Sequence, residues 1–65
     1  MTDDEERSEL IRHLFAVVTG LLENAAAMTA IAQERHDRAA QLARATMIEA
    51  ITTEALAILS AIRAI

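Results

Sequence analysis

The first candidates for a chemical role in this sequence are two histidines close to carboxylates, because these side chains together bind metal ions. Glu9 and His13 are four residues apart, a spacing that places both side chains on one face of a helix, where they can share a metal ion. His36 lies in a polar run, between Glu34 and Asp37. A stable site needs three or four ligands, and no second histidine–carboxylate pair is in register with either histidine. We therefore expect both histidines to be ordinary surface residues, with no metal and no cofactor.

The side chains that serve enzymes as nucleophiles are nearly absent. Ser8 and Ser60 are the only serines, cysteine and lysine are missing, and a single glycine does not make a phosphate-binding loop. Arg35, Arg38 and Arg44 would suit an anionic substrate, but a run of charges between two helices is typical of a solvated turn. The sequence predicts no catalytic residue, and we expect that the protein is not an enzyme.

A locally basic segment gives the alternative function, which is binding of RNA or DNA. Its members are Arg35, His36, Arg38 and Arg44. In this alternative the chain is a Rop-like helical-hairpin dimer, similar only in size and plan to bundles that bind folded RNA. The net charge of −4 and the absence of tyrosine and tryptophan, which stack on single strands, count against it. We expect no nucleic-acid partner.

Composition indicates helices and a partner chain. The 65 residues include no proline, no cysteine and one glycine, and 54% of them are hydrophobic. Alanine, leucine, glutamate and arginine are good helix formers, and turn signals are almost missing, so the predicted fold class is all-α. A chain this short covers only about 60% of its unfolded surface and has no disulfide or zinc site to compensate. We expect a single helical domain over residues 1–65 that associates with another chain.

The first helix is predicted over about residues 3–33. Thr2 and Glu5 fit the capping box S/T-x-x-E, and acidic residues fill the first turn, where the helix dipole favours negative charge. Apolar residues then recur at spacings of four and three, which is the pattern of one helix face. This stripe contains Leu10, Leu14, Val17, Leu21, Met28 and Ile31, with Asn24 as its only polar member. A flank of Ile11, Val18, Leu22, Ala25 and Ala32 widens it.

The second helix is predicted over about residues 38–64, after a turn at about residues 34–37. Its stripe has the same spacing and contains Ile48, Ile51, Ala55, Ile58, Ile62 and Ile65. This stripe is out of phase with the first, which indicates a break between them, and Asp37 is a suitable N-cap after that break.

Two alternatives to this turn remain open. The first helix would end at Gly20 in one of them, with Asn24 capping a long second helix. In the other, a Glu34–Arg38 pair supports one continuous helix about 95 Å long. The turn at residues 34–37 is preferred because two helices of nearly equal length bury both stripes over their whole length.

Alanine recurs every seven residues in the second half of the chain, at Ala43, Ala50, Ala57 and Ala64. Small residues along one line let two helices approach closely, toward the short end of the usual distance of about 8 to 10 Å. Folding the chain at the turn places large residues of the first helix opposite these alanines. We therefore expect Ala43, Ala50 and Ala57 to face the first helix in an antiparallel hairpin.

Two helices cover only one side of each other, so apolar side chains remain available for another chain. The sequence thus predicts an antiparallel two-helix hairpin that dimerises into a coiled-coil-like four-helix bundle. As a function we expect a small acidic oligomerisation or adaptor module, regulatory or structural, which binds protein partners by helix packing as a homodimer or within a larger assembly. The predicted packing interface consists of Leu10, Leu14, Val17, Leu21, Met28, Ile31, Ala43, Ala50, Ala57, Ile48, Ile51, Ile58 and Ile62.

A membrane hairpin is the less favoured alternative. Residues 14–32 and 47–65 are each apolar and long enough to cross a bilayer. Glu23, Glu49 and Glu54 interrupt them, and a charge at the bilayer centre costs about 2.5 to 3.5 kcal/mol. No signal-peptide pattern precedes the first helix, so we expect a cytoplasmic protein. The apolar repeat that runs to Ile65 is also compatible with a piece of a longer chain.

Overall fold

The chain folds as two α-helices in a computed structural model that describes residues 2–65. Helix α1 is Asp3–Gln33 and helix α2 is Arg38–Ala64, with a turn at residues 34–37 between them. The two helices pack against each other, and residues 2–65 contain no β-strand. Because so short a connection sends the second helix back along the first, the arrangement is an antiparallel hairpin. The predicted all-α class and helical hairpin are confirmed, while Met1 of the predicted domain lies outside the described residues.

Helix α1 begins where the capping signal places it. Thr2 has extended backbone geometry, and its hydroxyl oxygen accepts a hydrogen bond from the Glu5 backbone N–H at 3.1 Å. Four acidic residues, 3–6, occupy the first turn. The cap satisfies one of the free N–H groups of the helix end, and the carboxylates lie where the helix dipole is positive. Both effects stabilise the start of α1 at this point.

Side chains and backbone groups together close the turn between the helices. Asp37 is the N-cap of α2, and its carboxylate oxygen accepts from the Ala39 backbone N–H at 3.1 Å. The Gln41 side-chain amide donates to the Arg35 carbonyl at 2.9 Å. The backbone N–H of Glu34 donates to the Ile31 carbonyl, which ends α1 in a tighter last turn. The turn therefore reverses the chain without leaving these groups unpaired.

Neither alternative to this turn is correct. Gly20 and Asn24 both lie inside α1, and no glycine among residues 2–65 has the positive φ of a left-handed helix end. The continuous helix is also wrong, because α1 ends at Gln33. An internal glycine destabilises a helix by about 1 kcal/mol at most. An unbroken α1 buries apolar side chains along its whole length, and the free energy gained from that burial is larger.

The hairpin is long and thin. Its principal extents are 54 × 16 × 9 Å, and its radius of gyration is 15.7 Å, against about 11 Å for a compact chain of this length. Its accessible surface is 4973 Å², whereas a compact protein of this mass exposes about 4,100 Å². Two helices alone thus leave the chain with an unusually large surface for its size.

Candidate helix-packing interface

A seam of apolar side chains on α1 faces α2. Val18 and Ala25 are buried, each with 6% of its surface exposed, and they are the best-covered residues of this helix. The partly buried residues lie at spacings of three and four around them, which is the pattern of a helix in antiparallel coiled-coil packing. The seam of α1 consists of Ile11, Leu14, Val18, Leu21, Ala25, Met28 and Ala32.

This seam contains only part of the predicted interface. Leu14, Leu21 and Met28 are on it as predicted, but Leu10, Val17 and Ile31 are 49%, 49% and 40% exposed, so they do not lie between the helices of the hairpin. The predicted stripe and the observed seam share every second member and differ in the residues between. The observed seam has Ala25 where the predicted stripe has Asn24, so the seam contains no polar residue. This difference between the two sets of residues is visible in the sequence alone.

The seam of α2 agrees better with the prediction. Ala55 is 3% exposed, and the partly buried isoleucines around it are Ile48, Ile51, Ile58 and Ile62. Toward the turn the seam continues with Arg44 and Ala40, which sequence reasoning did not place there. Within residues 2–65, Arg44 is the only charged residue that is partly buried, and the long stem of an arginine is able to cover apolar surface in this way.

The prediction that the repeated alanines face the first helix is wrong. Ala43, Ala50 and Ala57 are all exposed. The alanines that are buried between the helices are instead Ala25 on α1 and Ala55 on α2. Steps of seven residues occur at every position of a helix, so the repeat by itself does not say which face it occupies. In this hairpin it runs along the outside.

One exposed side of the hairpin carries the leucine face, which we define as Phe15, Leu22, Leu56 and Leu59. Phe15 and Leu22 each follow a seam residue of α1 by one position, and Leu56 and Leu59 do the same on α2. In an antiparallel pair, residues one step after the seam project from the same side of both helices. Phe15, Leu22 and Leu56 are 49%, 50% and 66% exposed, so this face is apolar and largely uncovered.

The opposite side carries residues that precede a seam position by one step. We call it the alanine face and define it as Leu10, Val17, Ile31, Met47, Ala43, Ala50 and Ala57. Its four larger members are between 40% and 49% exposed. Glu54 precedes Ala55 and belongs to the same side, where the described residues include no arginine one step before the seam. This side is therefore mostly apolar, but it also carries the polar residues His13, Asn24 and Glu54.

Two threonines on the leucine side have hydroxyl groups that are already hydrogen-bonded. Thr19 donates to the Phe15 carbonyl at 3.1 Å, and Thr52 donates to the carbonyls of Ile48 and Glu49 at 3.1 and 3.0 Å. Such bonds satisfy a hydroxyl within its own helix. Covering these threonines with another apolar surface would consequently leave no unpaired hydroxyl.

The residues suggested for nucleic-acid contact are only partly brought together. Arg35, His36 and Arg38 are exposed at the turn, whereas Arg44 lies farther along α2 on the seam. Among residues 2–65 the one ion pair joins Arg12 to Glu9 at 3.3 Å, one turn apart on α1. The described residues include no group of three metal-ligating side chains and enclose no pocket. His13 accordingly has Glu9 near it in sequence but no set of ligands around it.

Both helices also satisfy the length and composition of a membrane span. The most apolar stretches of α1 and α2 have mean hydropathies of 1.6 and 1.5, and only 11% and 6% of those stretches are buried in the hairpin. A helix that is apolar over most of its circumference is typically buried by neighbouring helices or by lipid. The hairpin alone provides neither enough neighbouring helices nor lipid to cover α1 and α2.

Comparisons with protein-family models, with characterised proteins and with solved structures find no match to this chain. The two apolar faces and the charges around them are therefore the features of the chain that bear on its function.

Proposed function

We propose that this chain is a self-associating helical module, in which two hairpins pack into a four-helix bundle that acts as a non-catalytic oligomerisation or adaptor unit. One observation carries the proposal: large apolar side chains remain about half exposed along the hairpin, with Leu56 at 66%. Exposed apolar surface of this extent on a folded protein marks a site of association. Helix packing is the mode of association that two long helices offer.

The surface area of the hairpin supports the same proposal. It exceeds the area expected of a compact chain of equal mass by about 900 Å². A standard protein–protein interface buries about 800 Å² on each partner, so one further hairpin accounts for the surplus. Among residues 2–65, only Val18, Ala25 and Ala55 are buried, and a second layer of helices would supply the missing core.

A membrane hairpin is the second candidate, favoured by the low burial of two apolar helices. Three carboxylates weigh against it: Glu23, Glu49 and Glu54 are all exposed and lie within the stretches that would cross the bilayer. Each costs about 2.5 to 3.5 kcal/mol at the bilayer centre unless it is paired. A bundle in water leaves these carboxylates solvated at no such cost.

The mass of the protein in solution tests the proposal. The chain mass is 7.1 kDa, and we expect native mass spectrometry and light scattering to give twice this mass or a higher multiple at micromolar concentration. The assembly should dissociate on dilution. A strongly helical species that stays monomeric at every concentration would contradict self-association. Flotation with phosphatidylcholine vesicles separates the candidates, because a bundle stays with the soluble fraction and a membrane hairpin rises with the lipid.

A further inference from the structure

We infer that the leucine face binds a second copy of this chain in an antiparallel orientation, so that a two-fold axis passes between the two Leu56 side chains. The inference rests on the proposed self-association and specifies its surface and its geometry. The occupant is a copy of the chain because the pattern along α2 is complementary to itself when reversed.

The pattern in question lies on one line of α2. Glu49, Leu56 and Arg63 are separated by seven residues each, so all three project from the same side of the helix. Leu56 is the most exposed large apolar residue among the described ones, and Glu49 and Arg63 are exposed about 10 Å before and after it along the helix axis. Neither takes part in an ion pair within the hairpin.

When a second copy of α2 packs against this line in the opposite direction, each of the three residues meets a complementary residue of the other copy. Leu56 meets Leu56 at the axis, Glu49 meets Arg63 of the other copy, and Arg63 meets its Glu49. A two-fold interface has this reciprocal form, in which a contact from one residue to another occurs twice. Like-signed residues are kept apart, and the two ion pairs lie at the rim, where they select orientation more than they add affinity.

Helix α1 continues the same apolar centre. Phe15 lies as many residues before the turn as Leu56 lies after it, so the two are at about the same level of the hairpin. Both belong to the leucine face, and reversal about an axis at this level brings Phe15 near its own copy as well. Aromatic and leucine side chains at the centre of an interface, with charges at the edge, are the usual distribution in protein interfaces.

The parallel orientation is disfavoured by charge. It would place α2 of one hairpin over α1 of the other at the same level, where Glu49 would lie over Leu22 of the second copy and lose its pairing with Arg63. The acidic first turns, residues 3–6, would also lie side by side. Antiparallel packing sends these acidic ends to opposite ends of the dimer, and like charges that meet in an interface are the common means of excluding an arrangement.

The alanine face is disfavoured as the self-association surface for a related reason. Glu54 lies near the middle of it, and no arginine stands one step before the seam on either helix. Covering this carboxylate without a cation would cost more than its apolar neighbours repay, because an ionised group loses its hydration.

Charge reversal tests the orientation. We expect Glu49→Arg to weaken the dimer about tenfold, because two attractive pairs become two repulsive ones, and Arg63→Glu to do the same. The double variant Glu49→Arg/Arg63→Glu restores both pairs, and its dissociation constant should return to within about threefold of the original. Sedimentation equilibrium measures the constants, and circular dichroism checks that helix content is equal.

Glu54→Arg is the matched control, since it makes the same change of charge on the same helix but on the alanine face. We expect it to leave the dissociation constant unchanged. A dimer that Glu54→Arg weakens and Glu49→Arg does not would overturn the inference while leaving self-association intact. A chain that remains monomeric would overturn both, so the two failures are distinguishable.

Cross-linking tests the position of the axis independently. The chain has no cysteine, so Leu56→Cys introduces a single thiol, and a short bismaleimide should join two copies rapidly if the residue lies at the axis. Ala57→Cys is the control on the alanine face and should react slowly. Equal rates for the two variants would contradict an axis at Leu56.

Discussion

Gly20 is a residue whose replacement should make the protein more stable. It lies in the middle of α1 with helical backbone geometry, and a Cβ added there meets nothing within 4 Å. We expect Gly20→Ala to raise the free energy of unfolding by about 0.5 to 1 kcal/mol, because alanine loses less backbone entropy in a helix. Thermal unfolding measures the change. Ala27→Gly, seven residues later on the same side, should lower stability by a similar amount.

The two alanine positions on α2 respond differently to an added side chain. Ala55 is 3% exposed in the seam, so Ala55→Leu should destabilise the hairpin by about 1 to 3 kcal/mol through overpacking. Ala50 is exposed on the alanine face, and Ala50→Leu should change stability by no more than about 0.5 kcal/mol. Urea unfolding of both variants provides the comparison. If Ala50→Leu destabilised the protein more than Ala55→Leu, the repeated alanines would have to lie between the helices.

At the scale of the elements, the start of α2 depends on one cap. Asp37 supplies the hydrogen bond to the Ala39 backbone N–H that begins α2. We expect Asp37→Ala to lower the free energy of unfolding by about 1 kcal/mol, and Asp37→Asn, which keeps an accepting oxygen, to lower it much less. Thermal denaturation followed by circular dichroism is the measurement. Asp37→Ala and Asp37→Asn variants of equal stability would show that this cap does not determine where α2 starts.

The turn also bears on the alternative function. Arg35, His36 and Arg38 are exposed there, while Arg44 lies on the seam, so the cluster offers few cations to a phosphate backbone. We expect no binding to a folded RNA hairpin at low salt. If binding occurs, its affinity should fall by about 0.7 to 0.9 log units per log unit of salt for each phosphate contacted, and Arg35→Ala should reduce that slope. Such a result would favour the Rop-like alternative.

At the scale of the whole molecule, folding and association are expected to be one process. Only three of the described residues are buried, so we expect packing between hairpins to supply much of the stability. The unfolding temperature should therefore rise as protein concentration increases from micromolar to millimolar, because mass action stabilises the associated state. A temperature independent of concentration would contradict this coupling. Leu56→Glu, which places a charge in the leucine face, should remove the dependence.

Local signals in the sequence determined where the helices are. The Thr2 cap, the acidic first turn, the polar run near residue 35 and the Asp37 cap act within a few residues of the backbone groups they satisfy. Their effect does not depend on what packs against the helix. The observed bounds, Asp3–Gln33 and Arg38–Ala64, accordingly agree with the predicted ones.

Tertiary packing decided which side of α1 is inside. Apolar residues occupy so much of α1 that two phases of the repeat fit it, one through Leu10 and Val17 and the other through Ile11 and Val18. The first phase has more large aliphatic residues but also includes the polar Asn24, whereas packing between the helices favours the phase with small residues at Ala25 and Ala55. Packing depends on the shape of both surfaces together, and a spacing pattern read along one helix at a time does not contain that information.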